Sequence, residues 1–452
     1  MPTLFAARAL TLEGWKSDVR VTMDAGAIAT VQTEASAQEG DERHAIMAPA
    51  AANLHSHAFQ RAMAGLTESA GPGADSFWSW RNLMYRFVER LDPEDLEAIS
   101  ALAFAEMLET GFTRVGEFHY LHHDRDGAPY ANLGELAGRI AAAAQDAGIG
   151  LTLLPVFYAH ANFGGVPPGA LQRRFVNDLD RFARLLEASR GAVQSLEAAR
   201  VGVAPHSLRA VTPQELGALV ALAPNAPLHL HIAEQVKEVN DCIAWCGRRP
   251  VEWLLDHQPV DQRWCLVHAT HVNAEEVHRL AASAAVAGLC PITEANLGDG
   301  IFPATEYLGA DGACAIGTDS NVRIDAAEEL RTLEYTQRLT HRRRNVLAHG
   351  RERSTGRRLL EAAVAGGAQA LGCDRRGLIA GADADIVSLD TTHDSLLCRR
   401  GDAILDSWIF AARVPAIDCV WRYGRKVVSA GRHIRRDAIT ARYRRALASL
   451  LG

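Results

Sequence analysis

Between residues 50 and about 370, short apolar runs alternate with longer stretches rich in Ala, Leu and Glu. The runs are 45–54, 114–118, 151–156, 201–205, 228–232, 264–268, 287–291 and 313–318, each of strand length and β character. The stretches between them carry helix punctuation. In 93–110, for example, Asp92 and Pro93 stand at cap and first-turn positions, and Gly111 ends the segment. Strand and helix in alternation indicate an α/β fold with a parallel sheet, and about eight units in roughly 300 residues suit a closed (β/α)8 barrel. The pattern predicts a barrel domain over residues 50–374.

The flanks, 1–49 and 375–452, read differently. Short alternating runs with turn punctuation, such as 385–389 and 419–428 around Gly424, are antiparallel β signals. Neither flank can bury a face alone, so both ends are expected to pair into one small β-sandwich, closed by a helix over about 437–450. The stretch 67–90 breaks the short-loop rule. It holds Gly71, Pro72 and Gly73, then Phe77, Trp78, Trp80, Arg81 and Tyr85. Loops of that length inside a compact domain are usually functional or disordered, and the aromatic content favours a partly helical lid, with a dimer contact as the alternative.

Composition narrows the class without changing this outline. Nearly half of the 452 residues are apolar and 22% are charged, as in ordinary globular domains. The eight cysteines form neither a disulfide framework nor paired CxxC sets, so reduced thiols in the cytoplasm are expected. Residues 1–12 show no cationic stretch leading into an apolar one, so a secretory leader is not expected. No apolar run is long enough to span a bilayer. With 47 basic against 54 acidic residues, nothing electrostatic points to nucleic acid or a membrane surface.

Four clusters carry candidate chemistry. In His55-Ser56-His57 the histidines are two apart, which on a strand turns both imidazoles to one side, and nitrogen donors suit a metal such as zinc. The motif stands at the end of the first run, where barrel enzymes build their sites. In Leu228-His229-Leu230-His231-Ile232-Ala233-Glu234, His231 is nearer the strand end and three before Glu234, leaving His229 as a deeper structural histidine. His268 ends the 264–268 run and by itself reads better as a satisfied core residue than as a functional one. Asp319, after 313–318, either caps the next helix or binds metal and accepts a proton.

The order of these clusters, HxH on the first strand, HxxE on the fifth, His on the sixth and Asp on the eighth, resembles the amidohydrolase superfamily over essentially the whole chain. Gly381-Ala382-Asp383-Ala384-Asp385-Ile386-Val387 resembles that family's return strand in the flanking sandwich. The resemblance implies one divalent metal ion, expected to be zinc although iron or manganese suits the same donors, held by His55, His57, His231 and Asp319. Two-metal members generally bridge their ions with a lysine on the fourth strand. The three lysines here are Lys16, Lys237 and Lys426, and the fourth strand ends in Ala204-Pro205-His206-Ser207 instead. A mononuclear site is therefore expected, with Glu234, His268 and Asp319 in the catalytic roles. Mononuclear members with the HxxE arrangement are mostly deaminases, acting by a metal-bound hydroxide.

Arginines at the mouth sharpen the substrate. Arg81 lies in the expected lid and Arg209 follows the fourth strand; two guanidinium groups imply an anionic ligand rather than a neutral base. The motifs His55-Ser56-His57-Ala58-Phe59-Gln60-Arg61-Ala62, Thr293-Glu294-Ala295-Asn296-Leu297-Gly298-Asp299-Gly300 and Gly317-Thr318-Asp319-Ser320-Asn321 resemble the formimidoylglutamate deiminases. That family hydrolyses N-formimino-L-glutamate, a dicarboxylate amidine, to N-formyl-L-glutamate and ammonia in histidine breakdown. The resemblance implies substrate contacts at Gln60, Arg81, Tyr120, His206 and Arg209. A homodimer is the expected assembly. The rival readings are a deaminase of guanine or a related base, and a catalytically inactive barrel acting as a scaffold. Glu294 receives no role from the sequence.

Overall fold

The computed structural model of the protein describes residues 2–69, 75–348, 353–373 and 376–452. Parallel strands run through the middle of the chain in two hydrogen-bonded groups. Ala51–Ser56, Phe112–His119 and Gly150–Phe157 pair in order, and Gly150–Phe157 continues to two short pieces, Arg200–Val201 and Ala204–Pro205. Leu228–Ile232, Trp264–His268, Val286–Leu289 and Ala313–Ile316 form the second group. Parallel bridges join the groups at both seams: Val203 faces Leu228 and Ser207 faces His231 at one, and Ser56 faces Asp319 at the other. Every residue of Phe112–His119, Gly150–Phe157, Leu228–Ile232 and Trp264–His268 is buried, as strands covered by helices on one side and packed core on the other must be.

Local chemistry accounts for the element ends. Pro93–Glu109 and Pro213–Leu222 each open on a proline, whose missing N–H would have no intrahelical partner there, behind the capping residues Asp92 and Thr212. The expected strand 287–291 is shorter in the structure. It ends at Leu289, and Pro291 opens the helix Pro291–Leu297 instead. The run 45–54, read above as one strand, divides at Ala50 between Glu42–Pro49 and Ala51–Ser56, because the two halves pair with different sheets. At the Ser56–Asp319 seam a Cβ on Gly317 would lie 2.8 Å from the His55 carbonyl oxygen, so only glycine lets the two chain segments approach this closely.

The flanks meet in a mainly antiparallel sheet of eight strands. Its order is Arg432–His433, Arg425–Ser429, Ile417–Arg422, Ile386–Leu389, Glu42–Pro49, Thr3–Thr11, Gly14–Asp24 and Ala27–Gln32. The N-terminal and C-terminal halves join where Glu42–Pro49 pairs with Ile386–Leu389. Leu4, Val21, Met47, Ile386 and Trp421 share one apolar core, so residues from both ends of the chain bury each other. The hairpin at Tyr423-Gly424 has both residues at positive φ, 53° and 72°, the primed turn that matches strand twist. Arg114, on the second parallel strand, reaches across to Asp385 at 2.8 Å and to Asp383, clasping this sheet to the parallel strands.

The closing helix is Arg436–Leu451. Within 67–90 the structure forms the helix Phe77–Val88 behind the cap Ser76. Gly71, Pro72 and Gly73, and the expected domain boundary at 374/375, lie outside the described residues. No helix among the described residues is long and apolar enough to cross a membrane.

Candidate active site

Four side chains converge where the first, fifth and eighth parallel strands end. The donor atoms of His55, His57, His231 and Asp319 all lie within 4.8 Å of one another, and all four residues are buried. His231 Nε2 is 3.0 Å from His55 Nε2, and Asp319 Oδ1 is 3.4 Å from His55 Nε2 and 3.2 Å from His57 Nε2. Donors around one ion at about 2.0–2.1 Å stand roughly 3.3–3.4 Å apart in a tetrahedron, so the spacing fits a single divalent cation. The protonation states fit as well. Nδ1–H of His57 donates to the Phe118 carbonyl at 3.0 Å, which turns the Nε2 lone pair inward. Burial pushes the His55 imidazole down to about 3 and lowers His57 and His231, keeping them in the neutral form a ligand requires. Asp319 is held below the usual carboxylate range: burial opposes its charge, but the hydrogen bond and charge of His55, with His57 and His268, outweigh it.

Backbone strain gathers at the same strand ends. Ala233, His268, Asp319 and Asn321 adopt left-handed conformations, with φ of 49°, 68°, 45° and 54°. Such conformations cost about 1–3 kcal/mol each and persist where surrounding contacts over-determine them. Asn321 is one such contact. Its Nδ2 donates to Ser56 Oγ at 3.1 Å and to the Asp319 carbonyl at 3.0 Å, tying the HxH segment to the turn that carries Asp319. Glu117 acts from the other side, where its carboxylate accepts the Ala58 N–H at 2.7 Å directly after His57.

His268 and Glu234 border the cluster. His268 Nε2 is 3.8 Å from Asp319 Oδ2 and 4.0 Å from Glu234 Oε1, and its Nδ1–H donates to Glu294 Oε1 at 3.2 Å. Burial disfavours the imidazolium, but Glu234, Glu294 and Asp319 around it outweigh burial and raise His268 to about 10. Burial raises Glu234, against the attraction of His268 and Arg209. His229, two residues before His231, bonds through Nε2 to the Ala370 carbonyl at 2.8 Å, away from the cluster.

A cavity opens directly onto these groups. Gln60, Arg81, Tyr120, His206 and Arg209 all line it, together with His57, His231, Glu234, His268 and Asp319. Phe77, Trp80, Met84 and Tyr85 from the Phe77–Val88 helix cover it, and Tyr158 and Phe175 complete the apolar wall. Gln60 Nε2 donates to the Tyr120 hydroxyl at 3.0 Å, which leaves Gln60 Oε1 buried without a partner. Nε of Arg81 and Nε of Arg209 are likewise buried without a hydrogen-bond partner. Both guanidinium groups sit over the Trp78 ring, at 4.5 and 5.9 Å from its centroid, and Lys237 Nζ is 5.8 Å from it. Trp78 thus lets cations crowd at the mouth that would otherwise repel one another.

In the sequence Trp78 stands out only as one aromatic of the expected lid, and nothing there signals the contacts of Glu117, Glu238 or Glu294. A second group of metal-type side chains, Glu42, His44 and Cys419, lies in the terminal sheet. The Lys426 ammonium already pairs with Glu42 there, so the charge is met within the chain.

Residues 46–427 match the amidohydrolase family, and residues 1–45 match the N-terminal domain of formimidoylglutamate deiminase HutF. The chain therefore belongs to the amidohydrolase family. Within it, the formimidoylglutamate deiminase of Pseudomonas aeruginosa is 50% identical over 455 residues, covering 100% of both chains. A crystal structure of an amidohydrolase from Brucella melitensis superimposes with a TM-score of 0.97 at 56% identity, again over 100% of both chains. An adenosine deaminase from Xanthomonas campestris, solved with bound zinc, has a TM-score of 0.83 at 25% identity over 99% of this chain and 98% of its own.

Proposed function

We propose that this protein hydrolyses N-formimino-L-glutamate to N-formyl-L-glutamate and ammonia, a step of histidine degradation. The observation that carries this reading is the pair Arg81 and Arg209, two guanidinium side chains that both line the cavity opening on the His/Asp cluster. A substrate with two carboxylates and an amidine matches two guanidinium groups and a metal-type centre; a neutral purine does not. Full-length identity of 50% to a formimidoylglutamate deiminase supports the same substrate.

His55, His57, His231 and Asp319 would hold a divalent ion, which when bound would supply Lewis-acid activation of water at neutral pH. Zinc suits three imidazoles and a carboxylate, and the zinc-bearing adenosine deaminase relative supports that choice. Asp319 takes the proton of the attacking water on its carboxylate. His268 presents Nε2–H to the oxygen forming on the amidine carbon, and Glu234 carries a proton to the departing nitrogen. Arg81 and Arg209 bind the carboxylates, while Gln60 Oε1 accepts an N–H of the amidine. His206 and Tyr120 pack around the substrate. The balance is one water added across C=N and one ammonia released. Phe77, Trp80 and Tyr85 exclude bulk water, so these charged contacts act at low dielectric.

The same reading extends to architecture and setting. The bridges at the two seams support a closed (β/α)8 barrel over 50–374, and the shared apolar core of the terminal strands supports a composite sandwich from 1–49 and 375–452. A cytoplasmic homodimer completes the proposal.

Ammonia release from N-formimino-L-glutamate and from guanine, with metal content measured on the same sample, tests it. Release from formiminoglutamate alone is expected; none at millimolar substrate would refute the assignment.

A further inference from the structure

The loop after the seventh parallel strand brings a carboxylate to the back of His268. Glu294 sits on the helix Pro291–Leu297 and is 6% exposed. A single oxygen, Oε1, accepts two hydrogen bonds: the Cys290 backbone N–H at 2.9 Å and Nδ1–H of His268 at 3.2 Å. The helix itself is braced towards the metal-type centre. Thr293 Oγ1 donates to the Thr318 carbonyl at 3.2 Å and lies 2.9 Å from Ser320 Oγ, so it grips the turn on both sides of Asp319.

His268 needs such a hold. Its backbone is left-handed, with φ of 68°, and its ring is buried. Nε2 lies between Glu234 Oε1 and Asp319 Oδ2, both about 4 Å away and neither within hydrogen-bond reach. The Nδ1–H bond to Glu294 is the directional contact recorded for the ring among the described residues, and it decides which nitrogen faces the cavity. With the Cys290 N–H fixing Oε1, the imidazole plane inherits the rigidity of the helix start.

We propose that Glu294 is a positioning residue for the deamination, holding His268 so that Nε2 always faces the reacting carbon. The inference rests on the role given to His268 above. Without Glu294 the buried ring still stacks on His231 but loses its rotational reference. The fraction of encounters with Nε2 in line then falls, while the arginine contacts to substrate are untouched.

The test is a double-mutant cycle on the metal-loaded full chain, with thermal melting and metal content recorded for each variant. Glu294→Ala is expected to lower kcat about 10- to 100-fold with KM within about twofold. Glu294→Gln keeps one oxygen able to accept both bonds and should recover most of that loss. In a His268→Ala background, Glu294→Ala should cost nothing further, because both act through one ring. Three results would overturn the inference: wild-type kcat in Glu294→Ala, equal cost in both backgrounds, or an activity loss that follows loss of metal or of melting temperature. Failure of the underlying reading looks different: the wild-type protein would release no ammonia from formiminoglutamate, or His268→Ala would turn over normally.

Discussion

The buried carboxylate of Glu238 accepts the backbone N–H of Glu234 at 3.2 Å, fixing the turn that carries the Glu234 side chain. Its other oxygen accepts the Ala233 N–H at 3.1 Å, and Oε2 also stands 3.9 Å from Arg209 Nε. One side chain therefore couples the placement of Glu234 to the charge balance of a cavity-lining arginine. Glu238→Ala leaves two buried N–H groups and a buried guanidinium without a partner, at about 1–3 kcal/mol for each unmet group. Steady-state kinetics should show kcat falling and KM rising together, with kcat/KM down at least about 100-fold. A variant with unchanged KM would separate Glu238 from Arg209.

In the proposed reaction Arg81 and Arg209 act mainly on binding. Replacing Arg209 or Arg81 with Met removes the partner of a desolvated substrate carboxylate, a loss of about 2–5 kcal/mol. KM for N-formimino-L-glutamate should rise at least about 30-fold, with a smaller effect on kcat. An amidine lacking one carboxylate should lose less on going from wild type to the variant that removed its missing partner. Equal losses for both substrates would contradict a dicarboxylate-binding role while leaving the metal-type centre unaffected.

Asp319 is both donor to the cluster and proton acceptor in the proposed reaction. Asp319→Ala leaves three imidazoles without the anion that balances a divalent ion. Turnover should fall below detection, and bound metal below about half an equivalent after purification without chelator. Chelator treatment of the wild type should lower its melting temperature, since ligand bound only by the native state stabilises it. Unchanged melting after complete metal removal would argue against a structural contribution of the ion.

Strand-end chemistry was legible from sequence because it depends on local order. His231 could be preferred over His229 by its distance from the end of an apolar run, and the structure points them to different places, one to the cluster and the other to the Ala370 carbonyl. Contacts that depend on long-range approach were not legible. Glu294 meets His268 across 26 residues, and Arg114 meets Asp385 across 271. Nothing in 287–291 distinguishes a strand from a strand-to-helix turn except Pro291, whose positional preference for the first helical turn was outweighed by the apolar run before it. The flanks were legible as β structure, yet their hydrogen bonding runs through eight strands in one path, because Glu42–Pro49 offers an edge to each end of the chain.

Arg114 gives a prediction about stability rather than catalysis. It is 7% exposed, at the foot of the second parallel strand, and burial opposes its charge while Asp385, Cys373 and Asp383 favour it. Arg114 binds Asp385 Oδ2 through Nε at 2.8 Å and pairs with Asp383 through Nη2. Asp385 in turn accepts the Tyr423 N–H at 2.9 Å in the primed turn, so one guanidinium links the parallel strands to the hairpin of the terminal sheet. Arg114→Met fills similar volume but strands two carboxylates. Breaking a fully buried pair costs about 3–5 kcal/mol; with Asp383 reaching solvent, about 2–3 kcal/mol is expected. The urea midpoint should drop accordingly with little change in kcat, because the clasp lies at the end of the parallel strands opposite the His/Asp cluster. Restoring the midpoint with Asp383→Asn and Asp385→Asn in the Arg114→Met background would identify stranded charge, rather than lost packing, as the cause.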